Sequence, residues 1–130
     1  MSNQRYPSSL DEKVNDREKM RSGLTFWDWG IPSPASIIEC RGKIPVIGSG
    51  GLRNGLDLAR ALSLGAQLGG FARSFLSGAD KGMEELESNI NMTIRELKVA
   101  MLLTGSKKPA DLRKARSVIT GKLKDWVNND

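Results

Sequence analysis

The chain has 130 residues, 38% of them apolar, and a formal net charge of +5. With no histidine and a single cysteine, Cys40, it can supply neither Ser-His-Asp nor Cys-His catalysis of its own, and neither an internal disulfide nor a thiolate metal cluster. No apolar run approaches the roughly 20 residues needed to cross a bilayer, and the opening MSNQRYPSSLDEKVNDREKMRSG is polar, so a soluble, cytoplasmic chain the size of one modest domain is expected.

Residues 1–23 hold few core-forming side chains and are expected to form a polar arm or an exposed helix over Leu10 to Met20. Residues 24–130 carry the core. Phe26-Trp27-Asp28-Trp29-Gly30 ends in Ile31-Pro32-Ser33-Pro34 and predicts a packed loop. Ser33 before Pro34 fits an N-cap with proline at the first helical position, opening a helix to about Arg41 that Gly42 stops.

Ile44 to Ile47 is a short continuous apolar run, the pattern of a strand covered on both faces. A glycine loop follows, then an amphipathic helix, Leu56 to Leu64, with Leu56, Ala59, Leu62 and Leu64 apolar. Gln67 to Phe71 reads as a second strand, so this order predicts a βαβ unit with parallel strands. Ser74 to Gly78 predicts a short extra helix. Met83, Leu86, Ile90, Ile94, Leu97, Met101 and Thr104 recur at helical spacing. Pro109 is expected to open another helix burying Leu112, Ala115 and Ile119, before a last turn with Leu123, Trp126 and Val127.

From Arg95 to Asp130, nine Lys/Arg stand against four carboxylates. Only Trp126 is at hand to stack a base, so the excess reads as a solvated basic surface and not as a nucleic-acid interface. Glu39, Glu84, Glu85, Glu87 and Glu96 lie on helices and read as solvated faces.

The chemistry concentrates in IPVIGSGGLRNG, residues 44–55. A glycine turn from strand to helix lets backbone amides approach an anion, and the helix dipole favours negative charge there. A P-loop fails because Leu56-Asp57 stands where Lys-Ser/Thr is needed. A dinucleotide fingerprint fails because Arg53 replaces its third glycine and no acidic residue follows at about 20 positions. There remain a tight turn whose glycines serve backbone geometry alone, or the phosphate site of a (β/α)8 barrel, built by the last two strand loops and a short extra helix. The second loop and helix, Phe71-Ala72-Arg73-Ser74 onward, occur in the required order and favour the barrel. Arg53 would then be the charge-assisted partner of the anion.

The run SGGLRNGLDLARALSLGAQLGGFARSFL resembles the phosphate-loop region of FMN-dependent barrel enzymes, 2-hydroxy acid oxidases and glutamate synthases among them. The flanks, FWDWGIPSPASIIECR before it and ELKVAMLLTGSKKPADLRKA to ITGKLKDW after it, resemble type 2 isopentenyl diphosphate isomerase, particularly archaeal forms. The resemblance covers roughly Leu24 to Val127. It implies an α/β fold: the C-terminal part of a (β/α)8 TIM barrel, with the last two βα units and flanking helices. It also implies interconversion of isopentenyl and dimethylallyl diphosphate with reduced FMN, magnesium and NADPH.

By the same resemblance, Gly50, Gly51, Leu52 and Arg53, with Ala72 and Arg73, hold the FMN phosphate. Ser74 replaces a proline frequent in the family, at some expected loss of loop rigidity. The strands bearing the flavin-ring contacts, the diphosphate-binding residues and the magnesium ligand have no counterpart in this sequence, so no catalytic residue is assigned. The chain is expected to act as a C-terminal fragment completed by the missing N-terminal barrel half, or to self-associate. A non-catalytic phosphate-binding remnant is the alternative. Part of a flavin barrel acting on 2-hydroxy acids, whose enzymes pair a histidine with an arginine, is a weaker one.

Overall fold

The structure, a computed structural model, describes the backbone of residues 9–27 and 29–127, with side chains from residue 16 onward. Residues 1–8 of the expected arm and Asp28 lie outside it. The chain divides into two units at Ile31–Pro32.

In the first unit, helix α1 spans Ser9–Thr25. It outruns the expected helix, passing Gly23 to end at Thr25, whose hydroxyl donates back to the Arg21 carbonyl at 3.1 Å. Phe26 and Trp29 meet edge to face with ring centroids 6.2 Å apart. The packed loop expected here is not found: Phe26, Trp27 and Trp29 are all exposed, because the pairing covers only part of Phe26 and Trp29 and does not include Trp27.

In the second unit the elements are α2 (Ser33–Cys40), β1 (Ile47–Gly48), α3 (Gly55–Leu64), β2 (Leu68–Gly69), α4 (Arg73–Ala79), α5 (Met83–Leu103), a 3₁₀ turn (Pro109–Lys114) and α6 (Lys122–Val127). The expected α/β class and βαβ order are present: β1 pairs with β2 in parallel, Ile47 opposite Leu68 and Gly48 opposite Gly69. The ladder is shorter than the apolar runs predict. Pro45 has no N–H to donate, and the Val46 amide is taken by the Gln67 side-chain oxygen at 2.6 Å. Backbone pairing is carried by Gln67 N–H to the Val46 carbonyl and Gly70 N–H to the Gly48 carbonyl, at 2.8 and 2.7 Å.

Helix α3 is the hub. On one side Ala61 packs with Ile37 of α2 and Ala66, joined by Val46, Leu52 and Leu64. On the other, Ala59 and Leu62 pack with Leu112 of the 3₁₀ turn, joined by Leu58, Leu97, Ala100 and Met101. Leu56, expected inward, is exposed. The expected face of α5 is inward only in part, at Leu97 and Met101. Thr93 is buried, while Met83, Ile90 and Ile94 are exposed, because α5 bears apolar residues on more than one side and α3 and α4 cover only one. The helix expected after Pro109 stops at Lys114 as a 3₁₀ turn, leaving Ile119 beyond it in irregular chain. Leu112, only 2% exposed, is nevertheless the core residue expected. Arg113 Nη2 donates to the Ala66 carbonyl at 3.2 Å, tying this turn to the entry of β2.

Candidate functional site

The loops leaving β1 and β2 lie side by side because their strands are parallel neighbours. Two side-chain bonds join them: Ser49 Oγ donates to the Gly70 carbonyl at 3.3 Å, and Ser74 Oγ to the Leu52 carbonyl at a long 3.4 Å. The first loop is anchored from α2 as well. Ser33 does not cap its own helix; its hydroxyl donates to the Gly50 carbonyl at 2.9 Å instead.

Gly50 and Gly51 adopt φ of +81° and +102°, a region that disfavours any residue with a Cβ. At Gly51 an added Cβ would meet nothing within 4 Å, so the backbone there is open to a close-fitting group. The amides of Gly51, Leu52, Ala72 and Arg73 have no acceptor among the described residues. Arg53 donates from Nε to Asp57 Oδ2 at 3.3 Å, with its side chain 79% exposed against 12% for the aspartate. Its two Nη nitrogens have no partner among the described residues, and they form the outward edge of the guanidinium fork.

Asp57 organises this corner. Oδ2 also accepts the Arg53 amide, Oδ1 accepts from Arg60 at 3.3 Å, and the Asp57 amide donates to Asn54 Oδ1 at 2.8 Å, an N-cap bond on α3. The Gly55 amide donates to Glu96 Oε2 of α5 at 2.6 Å. The start of α3 is thus largely satisfied by the protein's own oxygens, so an incoming anion is left with the loop amides and Arg53. The helix-dipole expectation is corrected in that respect. Glu96, read as a solvated face, is half-buried and partnered; its partner is distant in sequence and no local pattern marks it.

The structure bonds the loop of Gly50, Gly51, Leu52 and Arg53 to the one that carries Ala72 and Arg73, and adds Ser33, Asp57 and Glu96 as supports. Arg73 opens α4 and is exposed. A cleft of about 270 Å³ lies behind the first loop, where Arg53 and Arg60 meet Ile37 and Leu64. Among the described residues no three His, Cys, Asp or Glu side chains gather to hold a metal, and no helix is long and apolar enough to cross a membrane.

A family model described as FMN-dependent dehydrogenase matches residues 33–119, two thirds of the chain and all of this site. The chain belongs to the FMN-dependent dehydrogenase family. It is 61% identical over 110 residues to a protein of Thermoplasma volcanium named isopentenyl-diphosphate delta-isomerase, covering 85% of this chain and 32% of that one. A Thermoplasma acidophilum protein of the same name is 55% identical over 115 residues, 88% of this chain and 33% of the relative. The Archaeoglobus fulgidus protein of that name is 43% identical over 116 residues, 89% of this chain and 34% of the relative. The resemblance to archaeal isopentenyl-diphosphate isomerases therefore extends over most of the chain, and the chain spans about a third of the length of the curated relatives it matches. Within the FMN-dependent dehydrogenase family, a phosphate-bearing flavin is the ligand against which this site is to be judged. Donor-only groups, an open glycine backbone and a half-free guanidinium fit its phosphate.

Proposed function

We propose that this chain supplies the FMN-phosphate grip of an isopentenyl diphosphate isomerase. The observation carrying the proposal is the pairing of the two strand-end loops, held together by Ser49 and Ser74, with Arg53 and four amides that have no acceptor among the described residues. Gly50 shapes the first loop through its positive φ, and Gly51 and Leu52 offer amides. Ala72 and Arg73 offer amides from the second, and Arg53 supplies fixed positive charge. FMN, when bound, supplies the flavin-ring chemistry of the reaction. This chain's residues bind the phosphate and orient the molecule attached to it, so that its ring is directed by a fixed anchor.

The remaining βα units of a (β/α)8 barrel would complete the enzyme. On this reading isopentenyl and dimethylallyl diphosphate are the substrates, 24–130 is the phosphate-binding part, 1–23 is an arm, and the setting is the cytoplasm. Magnesium and NADPH enter through the isomerase resemblance alone. The described residues offer magnesium no cluster of ligands, and no step is assigned to either.

The test is complementation. The full chain is mixed with a polypeptide carrying the first two thirds of the Thermoplasma volcanium relative, with FMN, magnesium and NADPH, and interconversion of the two diphosphates is followed. Activity that needs both polypeptides and falls with Arg53→Ala supports the proposal. A stable, folded complex that binds no FMN sinks it.

A second reading, a non-catalytic phosphate-binding chain that self-associates, draws on the exposure of Ile47 (64%) and Leu68 (62%) on a two-stranded sheet whose outer edges are unpaired among the described residues. Light scattering separates the two. A monomer that becomes a one-to-one complex with the complement favours the isomerase, and a closed oligomer indifferent to the complement favours the second reading.

A further inference from the structure

Glu96 stands forty-one positions after Gly55, on a different helix, yet its carboxylate takes the first amide of α3 at 2.6 Å. That amide is one of the donors a helix start leaves without an intrahelical partner. The contact is intimate: a Cβ built on Gly55 would run into the Thr93 carbonyl and the Leu97 amide of α5, so the start of α3 rests directly on the backbone of α5. Thr93 itself is satisfied, its hydroxyl donating to the Asn89 carbonyl at 2.9 Å, which leaves Glu96 as the polar link between the two helices among the described residues.

The link leads to the cradle. Gly55 follows Asn54, which caps the Asp57 amide, and Asp57 in turn holds both the amide and the Nε of Arg53. Arg53, Asn54, Ser74, Asn89 and Glu96 share one cavity of about 170 Å³ between the first loop, α4 and α5. Fixing the point where the loop enters α3 fixes the direction in which Arg53 and the Gly51 and Leu52 amides are presented.

We propose that Glu96 is a positioning residue for the phosphate cradle, acting through the Gly55 amide and touching no ligand itself. The inference rests on the phosphate-grip reading above. Its negative charge also occupies the start of α3, so that a bound phosphate is displaced onto the loop amides and Arg53. The acceptor oxygen, and not the charge, sets the loop.

The test compares FMN with riboflavin, which lacks the phosphate, by fluorescence titration of the full chain in complex with the complementing polypeptide. Glu96→Ala is expected to cut the FMN preference about tenfold while riboflavin affinity holds. Glu96→Gln, which keeps an acceptor oxygen, is expected to restore most of the preference. An unchanged preference in Glu96→Ala overturns the inference, as does an equal loss of both flavins, which would mark general loosening. A wild-type chain that does not distinguish FMN from riboflavin overturns the phosphate reading itself, and this inference with it. Should Glu96→Ala not fold, Glu96→Asp decides. Loss there of Gly55 amide protection together with the FMN preference supports the role, and retention of both overturns it.

Discussion

The Ser33 hydroxyl lies 2.9 Å from the Gly50 carbonyl and donates to it, joining the first turn of α2 to the glycine loop seventeen residues on. The bond replaces the N-cap that the Ser-Pro pair predicts. Ser33→Ala should lower stability by about 1 kcal/mol, read from urea unfolding, and weaken FMN binding a few-fold. Unchanged unfolding and binding would show that the loop holds its shape without α2.

Gly51 is held at φ +102° with open space around its missing side chain. A Gly51→Ala chain therefore meets no neighbouring atom, but its Cβ is strained against its own backbone at this φ, at a cost of about 1–2 kcal/mol. Circular-dichroism melting should register that loss, and the FMN preference should fall as the Gly51 and Leu52 amides turn away. A stability loss without a binding loss would separate the turn from the cradle.

On the proposed reading Arg53 supplies side-chain charge to the phosphate, and it is mostly solvated. Arg53→Ala should weaken FMN at least about tenfold and leave riboflavin unaffected. Arg53→Lys should recover only part, since an ammonium cannot hold Asp57 through one nitrogen and an anion through two others. The pairing with Asp57 adds little stability at such exposure, so melting of both variants should stay near wild type.

Gly55→Ala inserts a methyl group between the backbones of α3 and α5. Overpacking of that kind costs about 1–3 kcal/mol. It should also lengthen the Glu96 contact, visible as faster exchange of the amide at position 55. Leu112→Ala makes the opposite defect, a void against Ala59 and Leu62, worth about 2–5 kcal/mol. At temperatures where that chain remains folded, its FMN preference should be intact, because Leu112 packs against Ala59 and Leu62 further along α3 and not against its start at Gly55.

The βαβ order and the meeting of the two strand-end loops were legible because both are local. Apolar runs, glycine punctuation and Arg53 lie in one stretch, and the two loops need only parallel pairing to meet. What escaped depends on partners remote in sequence. Ser33 prefers the Gly50 carbonyl to its own helix, and Glu96 looks like any solvated glutamate until α5 lies against Gly55. The inward face of α5 was partly misread because Ile90 and Ile94 continue an apolar stripe that this chain leaves uncovered. Proline at 109 correctly marked a helical start, but the sequence pattern did not distinguish a 3₁₀ turn from an α-helix running to Ile119. The identity of the ligand came from resemblance, since a glycine loop with one arginine accepts many phosphates.

The bonds Ser49–Gly70 and Ser74–Leu52 span twenty-one and twenty-two residues, so the cradle closes across a single strand-helix-strand passage. The chain entropy of closing so short a loop is small and grows only slowly with length. Such a cradle is a cassette once its supports are counted: a gene rearrangement that carried the passage together with Ser33 and Glu96 into another parallel sheet would transfer the anion grip, leaving the new neighbours to decide what chemistry the anchored ligand performs.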